Sequence, residues 1–133
     1  RLGGETDFWK IAMKPGKPLM AGKLGSSLIL ALPGNPGSAF VTATLFLLPL
    51  IRYLAGAKNH MPVMHMANTN TALPATTQRA EFLRAQVDGQ HITAFDSQDS
   101  AKLSVLAAAN ALLFRPAHSP EQPIGTVVSY IAV

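Results

Sequence analysis

The chain has 133 residues, 48% hydrophobic and 14% charged, enough apolar surface to exclude intrinsic disorder and to fit one ordinary domain or two small ones. With no cysteine, disulfides, thiolate metal sites and cysteine nucleophiles are excluded, and a reducing compartment is compatible. The net charge of +4 is uneven: residues 1–58 carry seven basic side chains against two acidic ones, and the remainder one excess acid. A basic first half suits an anionic ligand, although ordinary solvated lysines give the same count.

Residues 8–13 (Phe-Trp-Lys-Ile-Ala-Met) read as a strand, residues 19–24 as a short one, and residues 27–32 (Ser-Leu-Ile-Leu-Ala-Leu) as a more apolar and so more buried one. Pro33-Gly34-Asn35-Pro36 breaks the pattern, and a helix follows. Asn35 suits the N-cap, Pro36 the first helical position and Gly56 the stop. Phe40, Thr44, Leu47, Ile51 and Leu54 recur at helical spacing, widened by Val41, Leu45 and Leu48, which predicts a helix covered on most sides. Pro49 should kink it. The apolar run 39–51 is too short to span a bilayer, so no membrane segment is expected. The chain opens on Arg1 rather than Met and shows no leader pattern, which leads us to expect further sequence upstream.

Residues 59–71 have no clear period and read as a linker; Met61, Met64 and Met66 suggest an adaptable apolar contact. Residues 79–87 alternate as a half-buried strand, Asp88-Gly89 reads as a two-residue hairpin turn, and residues 91–95 return as its partner. A short helix over 100–109 and strands over 112–114 and 126–133 complete a small barrel or sandwich.

Two constellations suit anion chemistry. In Lys14-Pro15-Gly16-Lys17-Pro18, proline then glycine at the centre of a turn predicts type II geometry. The two ammonium groups would then be held close, where they repel unless an anion lies between them; an exposed basic turn is the plain alternative. In Leu32-Pro33-Gly34-Asn35-Pro36-Gly37-Ser38, a glycine-rich loop runs from a strand into a helix. Its free amides, with the Ser38 hydroxyl, suit an oxyanion at a strand's carboxyl end; a plain strand-to-helix turn is again the alternative. The spacing is neither a Walker loop nor a dinucleotide fingerprint.

The order Lys-Pro-Gly-Lys-Pro, Gly-Lys-Leu, then Leu-Pro-Gly-Asn-Pro-x-Ser and an apolar helix resembles the molybdopterin molybdenumtransferases, the MoeA and gephyrin E-domain family. The later stretches Arg79-Ala-Glu-Phe-Leu-Arg84, Ser100-Ala-Lys-Leu103 and Ala109-Asn-Ala-Leu-Leu113 resemble that family too, although Lys102 stands where an arginine is usual. The resemblance implies an α/β fragment over 1–57, the end of a MogA-like molybdopterin-binding domain, then a linker over 58–69 and a small all-β C-terminal barrel domain over 70–133. It implies substrate contacts from Lys14, Lys17, Gly34, Asn35, Ser38, Arg79 and Ser100 to molybdate, the catalytic groups staying unknown. It also implies adenylylated molybdopterin as second substrate, AMP release, Mg2+ held mostly by acids upstream of this chain, and therefore little or no turnover by this chain alone. A cytoplasmic homodimer served by a molybdopterin adenylyltransferase follows from the same resemblance, as does the alternative of a non-catalytic dimerisation or peptide-interaction module.

The four histidines lack metal-ligand spacing, and no metal site is expected in this chain. Trp9 reads as a packing residue, and nothing positions Glu5 with Asp7. Nucleic-acid binding is not expected, because the basic half lacks interleaved aromatics and a recognition-helix pattern.

Overall fold

The computed structural model describes residues 4–8, 11–16, 18–99 and 101–133. Strands β1 (Glu5–Phe8), β3 (Met20–Leu24) and β4 (Ser27–Ala31) form an antiparallel sheet in the order β1-β3-β4. Strand β2 (Met13–Lys14) leaves that sheet and pairs in parallel with β6 (Ala80–Asp88), Met13 beside Ala80 and Lys14 beside Glu81. The single strand expected over 8–13 is thus divided between two sheets, and residues 9 and 10 lie outside the described residues.

Helix α1 (Pro36–Thr42) starts as its sequence dictates. Asn35 is extended, and its side-chain oxygen accepts from the Gly37 N–H at 3.1 Å. A π-helical turn, Ala43–Leu47, follows, in which the Leu48 N–H donates to the Ala43 carbonyl five residues back. This wide turn precedes Pro49, which has no N–H to give, and helix α2 (Leu48–Leu54) continues beyond it. The irregularity beside Pro49, where a kink is expected, is this π-helical turn. Gly56, with φ 80°, then ends the helix: its N–H donates to Tyr53 O and that of Ala57 to Arg52 O, the Schellman arrangement. The helical stretch Pro36–Leu54 is 19 residues, so by length and apolarity alone it passes the test for crossing a membrane that the run 39–51 fails. Its first half packs against protein: Val41 and Thr42 are fully buried.

The second half is a closed five-stranded barrel. Strands β5 (Met64–Thr69), β6, β7 (His91–Ala94), β8 (Ala111–Arg115) and β9 (Val127–Ala132) pair round in the order β6-β7-β5-β9-β8, and β8 returns to β6. Helix α3 (Leu103–Ala108) lies in the connection between β7 and β8. An α/β piece followed by a small barrel is therefore the observed fold class. Inside the barrel, Ala67, Leu73, Ala85, Ile92, Ala111, Leu113 and Val128 are buried together. Period-2 alternation sends the next residues outward. Leu112 joins Met13 and Val41 in a second cluster, with Phe40, Leu45, Phe46 and Phe82 packed around it. Strand β8 is apolar on both faces because one lines the barrel and the other receives the helix.

Four expectations are corrected. Residues 59–71 are not irregular throughout: they contain β5, whose inward residues Ala67 and Thr69 are too small to mark a strand by hydrophobicity. The hairpin turn is one residue later than expected, Gly89-Gln90 between paired Asp88 and His91. Gly89 has φ 56°, as the first central position of a type II′ turn requires. Strand β4 is not buried, with Leu28 and Ile29 exposed. The helix is not covered on most sides either, since Leu48, Ile51, Tyr53 and Leu54 are exposed. Both fit one observation: the buried cluster that covers the helix is built with β2, β6 and β8.

Leu112 is the contact on which the two halves meet. Leu112→Ala is expected to cost about 2–5 kcal/mol in urea unfolding, as for a core leucine. Leu54→Ala, on the exposed helix end, should change stability by less than about 0.5 kcal/mol.

Candidate functional site

A cleft of about 590 Å³ opens where the β2 turn, the start of α1 and the barrel meet. Lys14 lies on its wall, carried by the ladder to Glu81 on β6. The turn after Lys14 approaches α1 closely because residue 16 has no side chain. A Cβ on Gly16 would come within 2.9 Å of Thr42 Cγ2 and 3.0 Å of Met13 Cε. Thr42 is itself fixed, its hydroxyl donating to Ser38 O at 2.8 Å and to Ala39 O at 3.1 Å. Ser38, one helical turn earlier, therefore faces the same cleft as Lys14. Arg79 reaches it from the residue before β6 and is exposed.

Three residues proposed from sequence, Lys14, Ser38 and Arg79, thus line one cleft although they come from three separate segments. Gly34 and Asn35 do not line it. Asn35 is engaged as the helix cap, the Gly37 N–H is already spent on it, and Pro36 has no N–H to offer. Lys17 and Ser100 lie outside the described residues. The type II turn expected at Lys14-Pro15-Gly16-Lys17 is not what is seen in the part described. The Lys14–Pro15 peptide is cis, and Gly16 has φ 133°, well beyond the roughly 80° of that turn's third position.

Sequence reasoning missed Arg84. It also lines the cleft, it is 1% exposed, and its Nε, Nη1 and Nη2 are buried without a hydrogen-bond partner among the described residues. Burial lowers its pKa from the usual guanidinium range, and the charge of Asp99 opposes that shift. The available signal was its place on β6: outward-facing like Phe82, at a position where a strand packed on both faces calls for an apolar residue. Glu81 and Asp96 line the cleft as well, so among the described residues three cations meet two carboxylates there. Arg115, the other buried arginine, has a structural task. It donates to Pro74 O at 2.9 Å and Pro120 O at 2.7 Å, joining two loops at one end of the barrel. Its pKa too is lowered by burial, with Glu81 opposing.

A second cavity of the same volume lies beside the β6–β7 hairpin and is lined by Asn70, Gln86, Val87, Asp88, His91 and Thr93. Among the described residues it gathers none of the motif residues and no lysine or arginine. Among the described residues no group of three or more His, Asp or Glu is placed to hold a metal ion.

Comparison with known proteins gives the family. Residues 66–133 match the family described as MoeA C-terminal region (domain IV), and residues 1–53 match the probable molybdopterin binding domain. The chain belongs to the MoeA family. A molybdopterin molybdenumtransferase of Haemophilus influenzae is 43% identical over 82 residues, covering 61% of this chain and 20% of that protein. Molybdopterin molybdenumtransferase 2 of Mycobacterium tuberculosis is 33% identical over 128 residues, covering 93% of this chain and 32% of its own length. The molybdopterin biosynthesis MoeA protein of Pyrococcus horikoshii superposes with a TM-score of 0.83 at 26% identity, over 96% of this chain and 32% of that one. The chain therefore spans a fifth to a third of these relatives, which are named for transfer of molybdenum to molybdopterin.

Arg115→Met should lower stability by about 1.5–3 kcal/mol in urea unfolding, since two carbonyls lose a charged donor. Anion affinity, measured on the same variant by calorimetry, should stay unchanged, because Arg115 does not line the cleft.

Proposed function

We propose that this chain supplies the molybdate-holding part of a molybdopterin molybdenumtransferase, which inserts molybdate into adenylylated molybdopterin with release of AMP. One observation carries the reading: Lys14, Ser38 and Arg79 line a single cleft between the α/β piece and the barrel. Molybdate is a tetrahedral dianion. A lysine ammonium offers it a compact point charge, and an arginine fork can pair two of its oxygens. The Ser38 hydroxyl adds a neutral donor that can turn towards whichever oxygen is nearest. Lys17 and Ser100 are expected to join this set by the family resemblance. Gly34 and Asn35 are expected to act indirectly, by fixing the start of α1 and with it Ser38.

The Mg2+ that the resemblance implies finds no matching ligand cluster among the described residues of this chain. Hydrolysis of the adenylate needs charge neutralisation beyond what this cleft offers, so the chain alone is expected to bind the oxyanion without turning over. The same reading makes the whole protein a cytoplasmic enzyme acting on the product of a molybdopterin adenylyltransferase.

A second reading is favoured by a different observation. Leu48, Ile51, Tyr53 and Leu54 on the helix, with Met61, Val63, Met64 and Met66, leave an unusual amount of apolar surface exposed. A groove of about 450 Å³ between the helix and the barrel, lined by Phe40, Leu48, Val63 and Ile131 among others, runs beside it. These features suit a homodimer contact or a bound peptide.

Lys14→Ala is expected to weaken molybdate binding by about tenfold in calorimetry, or about 1.4 kcal/mol. Unchanged affinity would remove the cleft from the reading and favour the interaction module. Molybdate-dependent AMP release by the 133-residue chain should not exceed background, and robust turnover would refute the claim that it needs more than its own residues.

A further inference from the structure

Among the described residues the cleft holds one cation that the proposed molybdate contacts do not include. Arg84 is 1% exposed and all three of its guanidinium nitrogens are buried without a hydrogen-bond partner among the described residues. Arg115, equally buried, differs: its Nη1 and Nη2 donate to two backbone carbonyls, and only its Nε is without a partner among the described residues. A guanidinium carries five N–H donors in a fixed plane, and leaving them unmatched in a low-dielectric site is costly. The backbone around Arg84 is tied down. Its N–H donates to Gln98 Oε1 at 2.9 Å, and Gln98 Nε2 donates back to Arg84 O at 3.0 Å and to Phe95 O at 2.8 Å. The main chain that carries the side chain is therefore fixed beside the cleft.

Resting on the molybdate reading of the cleft, we propose that Arg84 is a further oxyanion-binding residue, one that makes the site select a doubly charged tetrahedral anion over a singly charged one of the same shape. Lys14 and Arg79 are exposed, and their charges are screened by water and opposed by Glu81 and Asp96. Taken alone, that set discriminates weakly between one negative charge and two. A desolvated guanidinium interacts with far less screening, so each additional unit of ligand charge counts for more. Its planar fork also matches two oxygens of a tetrahedral ion.

The test compares molybdate with perrhenate, a singly charged ion of the same geometry, and with inorganic phosphate, on the 133-residue chain and its variants by calorimetry. Arg84→Met should lose about tenfold or more in molybdate affinity and no more than about threefold for perrhenate. Arg84→Lys, which keeps the charge without the fork, should fall between. The melting temperature of anion-free Arg84→Met should equal or exceed that of the parent chain, because an unmatched buried charge has been removed. A lower melting temperature with unchanged anion affinities would mark Arg84 as structural and overturn the inference; should Arg84→Met not fold, Arg84→Lys decides, and parental affinities for all three ions overturn it. Molybdate binding lost in Lys14→Ala but kept in Arg84→Met also overturns it and leaves the molybdate reading standing. With Arg84-dependent binding of phosphate and none of molybdate, the residue's role stands and the molybdate reading falls. Binding of none of the three ions by the parent chain overturns both.

Discussion

The arrangement depends on a ladder of two residues. Met13 and Lys14 run parallel to Ala80 and Glu81, and through them the α/β piece is fixed to the barrel wall at the edge of β6. So short a ladder would not hold alone. It is backed by the cluster in which Leu112 meets Met13 and Val41, and by the close approach of Gly16 to Thr42. These contacts leave little freedom in where Lys14 stands relative to Ser38 and Arg79. The geometry of the cleft is thus a property of packing between the two halves, and neither half contains it.

Much of this was legible in the sequence, and the parts that were not share a physical cause. Asn35-Pro36 and Gly56 marked the helix limits because capping is local chemistry, decided by a few neighbouring residues. The alternation of residues 79–87 marked β6 because one of its faces lines the barrel core. Strand β5 was missed since its inward residues are Ala67 and Thr69, and its large apolar residues, Met64 and Met66, point to solvent. The turn of the hairpin was misplaced by one residue because Asp88-Gly89 and Gly89-Gln90 both satisfy a two-residue loop. Cross-strand register, which is not local, chose between them. Arg84 closed a family-like stretch and stood where β6 calls for an apolar residue, but neither signal marked it as a cleft residue; its burial without a partner among the described residues does so.

The burial of the helix and of β4 was overestimated for a related reason. Apolar periodicity reports that a face is fit to be covered, not that this chain covers it. Leu28, Ile29, Ile51 and Leu54 are exposed here in a chain that spans a fifth to a third of its curated relatives. Such surfaces weigh on any experiment with the chain on its own, since they favour self-association as concentration rises.

The side chain of Gln98 occupies a gap in the hydrogen bonding of β6. On that edge of the strand, β2 pairs with residues 80 and 81 and β7 with residues 85–88, and the amide of Gln98 bonds both backbone groups of Arg84 between them. The Phe95 N–H also donates to Arg84 O at 3.1 Å, so what the glutamine alone closes is the Arg84 N–H, a donor that would otherwise lie open to pairing with a stranger. Because the loop carrying Gln98 also carries Asp96 and Asp99, a shift in that loop would unseal the edge and disturb the charge balance around the buried arginine in the same movement.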